Sequence, residues 1–436
     1  MKTTRVLFAV AALLVFCGPP AWGAIGEADL ETLRAELRAL TGRVATLEAD
    51  NARLRERVAS SADSVPVERL GLVANRPGKT AGISADDGSG GAVHWSERVS
   101  IDGDFRYRYE EIHVDDAGVR ERDRIRVRLN VKARLSPEVT VGAGLATGGN
   151  DPVSTNQTLG EVGSPKEVRL NLAYVGWQPL EGLSLHAGKM INPFYRPQSS
   201  SLLWDGDYTP EGIGGRWEGR HLFATAAGNW LESDNRQGGK VFAWGLQGGV
   251  RLALGGAELT LGTGYFELPV AGRSVFFSDG DEFYGNSYRC ANATAQQDCA
   301  YLYDYEEWEG FAHVATTWAK RPLQFYLDVV QNQAVDEFDT GWLAGIRYGS
   351  ARAPGTWWLG YEYQDLEADA VFGLLSDSDF AGGGADGKGH KLAGDFALTD
   401  NISLGFTWYI NNKVGENLFG SERQYDRVIL DANFSY

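Results

Sequence analysis

From Glu121 to Leu135 the chain alternates residue by residue. Arg122, Arg124, Arg126, Arg128, Asn130, Lys132 and Arg134 fall on one face, and Ile125, Val127, Leu129, Val131, Ala133 and Leu135 on the other. A β-strand is the only regular structure with that period. From Ile125 onward one face has no hydrogen-bonding side chain, whereas the other carries cations that an apolar core cannot hold unpaired. Such a strand either separates lipid from water or forms the wet side of a soluble antiparallel sheet, and this segment alone leaves both open.

The pattern recurs. Ile101 to Glu110 sets Phe105, Tyr107 and Tyr109 against Asp104, Arg106, Arg108 and Glu110. Further alternating runs predict strands over 139–147, 168–177, 182–190, 211–218, 220–231, 240–252, 256–267, 304–319, 322–332, 340–349, 355–364, 388–398, 401–410 and 423–436. Tight connections such as Leu254-Gly255-Gly256, Lys320-Arg321-Pro322 and Thr399-Asp400 lie between long ones such as Glu267 to Asp304, Asp365 to Gly387 and Asn411 to Glu422. Outer-membrane barrels sort short turns to one rim and long loops to the other, which a soluble sandwich has no reason to do. The expected fold is therefore all-β, a transmembrane antiparallel barrel of about sixteen strands over residues 99–436.

Three segments precede it. Lys2, Arg5, the apolar run Val6 to Phe16 and the small residues around Ala21-Trp22-Gly23 read as an export signal over 1–23. Phe16 before Cys17 does not suit a lipoprotein signal. Over 24–59, Leu30, Leu33, Leu37, Leu40, Val44, Leu47, Asn51, Leu54 and Val58 trace a heptad seam. It predicts a short α-helical coiled coil for oligomerisation, with Asn51 setting register; a single amphipathic helix lying on the protein's own body is the alternative. Residues 60–98 are rich in Ser, Asp, Gly and Pro and read as a flexible linker.

Composition narrows the functions. The net charge is -17, and loss of Lys2 and Arg5 makes it two units more negative, which argues against a nucleic-acid partner. No run of 18 apolar residues follows the signal, which excludes helical spans but not a barrel. Cys290 and Cys299 remain to close a short disulfide loop in an oxidising compartment.

The stretches GDFRYRYE (Gly103 to Glu110), RDRIRVRLNVKARL (Arg122 to Leu135), GLATGGNDPVSTNQTLG (Gly144 to Gly160), GKMINPFY (Gly188 to Tyr195) and LLWDGDYTPEG (Leu202 to Gly212) resemble the family of putative porins of Gram-negative bacteria. The last strand, ending on Tyr436, is also similar to the closing strands that the barrel assembly machinery recognises. A remoter similarity is to phosphate-selective porins. The resemblance implies a trimer in the cell outer membrane, contacting lipid and lipopolysaccharide, with the N-terminal helix in the periplasm.

In a barrel of this size inward residues set what passes. Arg106, Arg108, Arg122, Arg124, Arg126, Arg128, Lys132 and Arg134 are the expected pore-lining wall. By similarity to general porins, the loop from Ile191 to Pro210 folds inward, bringing Arg196, Asp205, Asp207 and Glu211 opposite that wall. The bland reading is that the arginines simply pair with neighbouring carboxylates. Asp377-Ser378-Asp379 starts like a calcium loop but has Ala381 and Lys388 at the later ligand positions. The six histidines have no metal-ligand spacing, no Gly-x-Ser-x-Gly elbow occurs, and no cofactor or enzyme activity is expected. The expected function is passive diffusion of small hydrophilic solutes and ions. A solute-specific channel for phosphate or another anion, and a barrel acting as scaffold or sleeve for a partner protein, are the alternatives.

Overall fold

The computed structural model describes residues 98–436, apart from 116, 235–238, 278–281 and 292–298. The export signal, the heptad helix from Leu30 to Val58 and the linker up to residue 97 lie outside the described residues.

The alternating segments form sixteen antiparallel strands: β1 (Val99–Val114), β2 (Gly118–Arg134), β3 (Val139–Thr147), β4 (Val168–Leu180), β5 (Leu183–Lys189), β6 (Glu211–Glu218), β7 (Leu222–Glu232), β8 (Val241–Leu254), β9 (Ala257–Leu268), β10 (Tyr305–Trp318), β11 (Arg321–Asn332), β12 (Thr340–Gly349), β13 (Trp357–Leu366), β14 (Gly387–Ala397), β15 (Ile402–Val414) and β16 (Arg423–Ser435). Each pairs with its neighbours in sequence, and β1 pairs with both β2 and β16, so the sheet closes into a barrel with no free edge. Closure runs from Asp104 opposite Ser435 to Val114 opposite Tyr425. It is finished by Tyr436, whose backbone exchanges two hydrogen bonds with Gly103 at 3.2 and 3.1 Å. The Tyr436 ring occupies the space that a side chain at Gly103 would need.

The connections after even-numbered strands are short, the longest being 350–356, whereas those after odd-numbered strands include 148–167, 190–210, 269–304 and 367–386. One difference from the sequence reading lies at the start. β1 and β2 extend beyond the expected strands, to Val114 and from Gly118, so the connection between them on the long-loop rim is short. The pleat puts Val127, Leu129, Val131, Val141 and Leu145 outside, 36–46% exposed. Two rings of outward tryptophans flank this apolar surface: Trp177, Trp217, Trp318 and Trp357 towards the short-turn rim, and Trp230, Trp244, Trp308 and Trp342 towards the other.

The interior is not a plain water-filled tube. Long loops fold inward and build an apolar core against one side of the wall: Leu202, Leu203 and Trp204 from one loop, Val270, Phe283 and Tyr301 from another, and Val371, Phe372, Leu374 and Leu375 from a third. They pack on Phe266, Tyr305, Tyr326, Val330, Leu343 and Leu366 of β9 to β13. Inward glycines lie under aromatic rings: Gly262 beneath Phe311, Gly345 beneath Tyr326, Gly142 beneath Tyr174. A small hairpin, Tyr288–Cys290 with Cys299–Tyr301, completes the longest loop, and Cys290 and Cys299 are disulfide-bonded.

Candidate functional site

The arginine ladder is set by register. Across the β1–β2 pair, Asp104 faces Arg128, Arg106 faces Arg126, Arg108 faces Arg124 and Glu110 faces Arg122. On the other flank Arg108 faces Asp431 of β16, and Arg427 lies on the same inward face two steps further along. Like charges directly opposite each other repel, so the two arginine–arginine pairs stand only because carboxylates lie between them. Arg108 donates to Asp431 at 2.8 Å, Arg126 and Arg128 reach Asp104 at 2.9 and 2.7 Å, and Arg106 lies 3.9 Å from Asp431. Glu110, with no exposed surface, meets Arg122 at 2.5 Å, Arg427 at 2.9 Å and Arg124 at 3.3 Å. Lys132 is 3.8 Å from Asp102, and Arg134 is exposed at the end of β2 on the short-turn rim.

Two loops then add carboxylates from inside. Asp207 lies 3.3 Å from Arg128 and 3.8 Å from Arg126, and accepts a hydrogen bond from the Thr155 hydroxyl at 3.1 Å. Asp379 lies 2.9 Å from both Arg108 and Arg427. Burial alone would raise the Asp379 carboxyl, but Arg427, Arg108 and Arg106 overcome it and hold it well below the usual carboxylate range. Asn156 accepts from Arg106 at 2.5 Å. Seven guanidinium groups are thus met by five carboxylates, Asp104, Glu110, Asp207, Asp379 and Asp431, which offset most of the positive charge. Balance matters because a buried charge left without its partner is costly.

The loop from 190 to 210 crosses the lumen. On the far side the Tyr195 backbone exchanges hydrogen bonds with the Gln247 side chain of β8 at 2.7 and 2.9 Å, and its hydroxyl lies 2.7 Å from His313 Nδ1 of β10. On the near side Asp207 meets β2. Of the four loop residues singled out in the sequence, Asp207 alone lies on the ladder. Arg196 turns back to donate to the Trp204 carbonyl at 2.7 Å, Glu211 pairs with Lys189 at 3.0 Å, and Asp205 faces a neighbouring loop. Sequence reasoning did not single out Arg427 or Asp379. Arg427 was accessible from the alternation of β16, two residues before Ile429 and four before Asp431 on one face. Asp379 carried no local signal, because its place depends on how a twenty-residue loop folds.

Water can reach this side. Side-chain exposure is 31% at Arg128, 22% at Asp104 and 23% at Asp379, whereas the apolar core opposite is at most 9% exposed.

With this geometry in view, the family described as "Putative porin" matches residues 114–243 and 286–435. The chain belongs to that porin family. No curated protein matches it. Among solved structures, the high-pH structure of Pseudomonas putida OprB is similar with a TM-score of 0.50 and 12% identity, over 78% of this chain and 95% of that one. Salmonella typhi OmpF, in complex with daunomycin, follows at 0.46 and 11%, over 78% and 97%. Identity this low speaks to the fold alone, and the second likeness carries no argument here.

Proposed function

We propose that this porin sits in the outer membrane and lets small hydrophilic solutes and ions diffuse passively along the arginine ladder. The observation that carries the reading is the pair of tryptophan rings. Trp308 and Trp318 stand on one strand, on one face, both exposed. Ten residues at about 3.3 Å each, tilted by about 40°, give a band of about 25 Å, the height of the apolar belt of such barrels. The long loops then face outward from the cell and the short turns face the periplasm, where the chain enters β1. The heptad seam from Leu30 to Val58 supports a trimer, its helices coiled together there.

The selectivity mechanism is a field between fixed guanidinium groups and the loop carboxylates Asp207 and Asp379. Because five carboxylates offset most of the seven guanidinium charges, this favours polar solutes over apolar ones more than it favours phosphate or another anion. The loop core favours a second reading, a barrel serving as scaffold with its lumen closed.

Recording from the full-length protein in planar bilayers separates these. Conductance rising linearly with salt supports general diffusion; saturation with one anion supports a specific channel; a silent bilayer supports the scaffold. Replacing Arg126 and Arg128 with Ser should move the reversal potential towards cation preference, and an unmoved potential would refute the ladder's role.

A further inference from the structure

One sector of the short-turn rim is unlike the rest of this acidic chain. Residues 315–325 and 344–361, which hold the β10–β11 and β12–β13 turns and the strand ends beside them, contain Lys320, Arg321, Arg347 and Arg352 and no Asp or Glu. Every other short turn has a carboxylate in it or within two residues of it: Glu138, Glu181, Glu218, Glu258 or Asp400. Diffusion along the ladder of β1 and β2 does not call for this difference.

Two of the four cations lie on consecutive tryptophans of β13, on opposite sides of the wall. Arg347 stands 3.8 Å over Trp358 on the inward side. Arg321 starts β11, and its guanidinium reaches past the end of β12 to lie 4.9 Å over the ring of Trp357 on the outer surface. Trp357 ends an aromatic shelf: its ring is 6.0 Å from that of Tyr348, which is 5.5 Å from that of Trp318. Trp318 and Trp357 are 64% and 37% exposed and belong to the tryptophan ring at the edge of the apolar belt, the depth of lipid headgroups. Stacking there fixes the guanidinium while leaving its N–H edge open. Among the described residues, the side chains of Lys320, Arg321 and Arg352 form no hydrogen bond and no ion pair. Nor does the turn itself explain the lysine. Ala319 and Lys320 have φ of 47° and 63°, a two-residue turn for which Asn-Gly is the unstrained choice.

Three open cations thus gather at the edge of an apolar shelf, with no carboxylate to neutralise them. A water-soluble acidic partner would use the cations but not the shelf; a lipid with an anionic headgroup uses both. We infer that the rim between β10 and β13 is a binding site for an anionic phospholipid of the periplasmic leaflet, its phosphate held by Arg321 with Lys320 and Arg352 on the two turns alongside, and its acyl chains against Trp318, Tyr348 and Trp357. The inference rests on the reading that sets the barrel in the outer membrane with its short turns towards the periplasm. Arg321 supplies paired N–H donors to the phosphate oxygens, and the other two supply charge.

The test is native mass spectrometry of the full-length protein, released from detergent micelles that hold equal amounts of phosphatidylglycerol and phosphatidylcholine with the same acyl chains. Each cation at headgroup depth adds about fivefold to the binding of an anionic lipid. Wild type should therefore keep phosphatidylglycerol in preference, and Lys320→Gln/Arg321→Gln/Arg352→Gln should lower that preference at least about tenfold. Trp357→Leu keeps every charge but removes the ring under Arg321, and should lower it about threefold. Arg220→Gln, at an exposed cation in the turn beside Glu218, should leave it in place. Inorganic phosphate in large excess should not displace the lipid; displacement would make this a site for free phosphate and overturn the lipid. Equal retention of the two lipids, or an unchanged preference in the triple variant, would overturn the site. So would a triple variant that changes the number of associated chains instead of the lipid count, which would assign the patch to a second copy. Protein that stays soluble without detergent and keeps neither lipid overturns the membrane reading along with the site.

Discussion

The inner wall holds the same loops by opposite means on its two sides. On β9 to β13 the loops are packed: the Phe372 ring lies 5.2 Å from Tyr301 and 5.7 Å from Tyr305, and all three are at most 2% exposed. On β16, β1 and β2 they are held by ion pairs whose side chains keep some access to water. Apolar burial is non-directional and adds up, at about 1.5–3 kcal/mol per buried aromatic. Ion pairs return little net energy after desolvation, yet removing one partner is expensive. The packed side therefore fixes where the loops are. The charged side carries the groups that, on the proposed reading, set what can pass.

The largest effect should come from the charged side. Glu110→Gln removes the fully buried carboxylate shared by Arg122, Arg124 and Arg427, leaving Arg122 and Arg124 without a carboxylate and Arg427 with Asp379 alone, at a cost of up to about 3–5 kcal/mol. These groups belong to the closing strands, so the whole barrel should unfold at a lower temperature, read by the shift in gel mobility of heated detergent samples. An unchanged transition would mean the ladder is not held by this carboxylate.

Phe372→Ala sharpens the contrast. Truncating a buried phenylalanine costs about 3–5 kcal/mol where the surroundings cannot relax, but this one sits in a loop, so part of that cost should be relieved. The expected outcome is a loosened loop with raised, noisier conductance and a barrel transition less affected than in Glu110→Gln. If the barrel melts as early as in that variant, the two sides are not doing separate jobs.

How much of this could be read in the sequence follows from the same division. The strands were legible because alternation is local: ERDRIRVRLNVKARL states its own period, and each turn lies between two such runs. The ladder was legible for the same reason, down to Arg106 and Arg128. The loop core was not. Trp204, Phe283 and Phe372 come from three loops with no common spacing, and only folding brings them together. Asp379 shows the limit most clearly. Within Asp377-Ser378-Asp379 it reads only as part of an incomplete calcium loop, yet its partners Arg108 and Arg427 lie 271 and 48 residues away, beyond the reach of any pattern.

Asp207→Asn should do less than either core variant. Asp207 is 15% exposed and one of its arginine partners 31%, so screening keeps the pair near about 1 kcal/mol or below. Its effect belongs in selectivity: Arg126 and Arg128 lose a counter-charge, and the reversal potential should move towards anions, opposite to the Arg→Ser change. A shift in the same direction as Arg→Ser would break the claim that the loop carboxylates offset the ladder.

The smallest effect is expected at the ladder's short-turn end. Lys132 and Asp102 are 3.8 Å apart with side chains 38% and 51% exposed, so the pair is loose and bathed in solvent. An exposed pair of that kind contributes about 0–1 kcal/mol, and no loop carboxylate or buried neighbour depends on it. Lys132→Met should leave the unfolding transition in place and move the reversal potential less than Asp207→Asn does. Finding instead a shift as large as that of Arg126→Ser with Arg128→Ser would place the selective part of the path at the short-turn mouth, away from the loops, and would undo the division of labour drawn above.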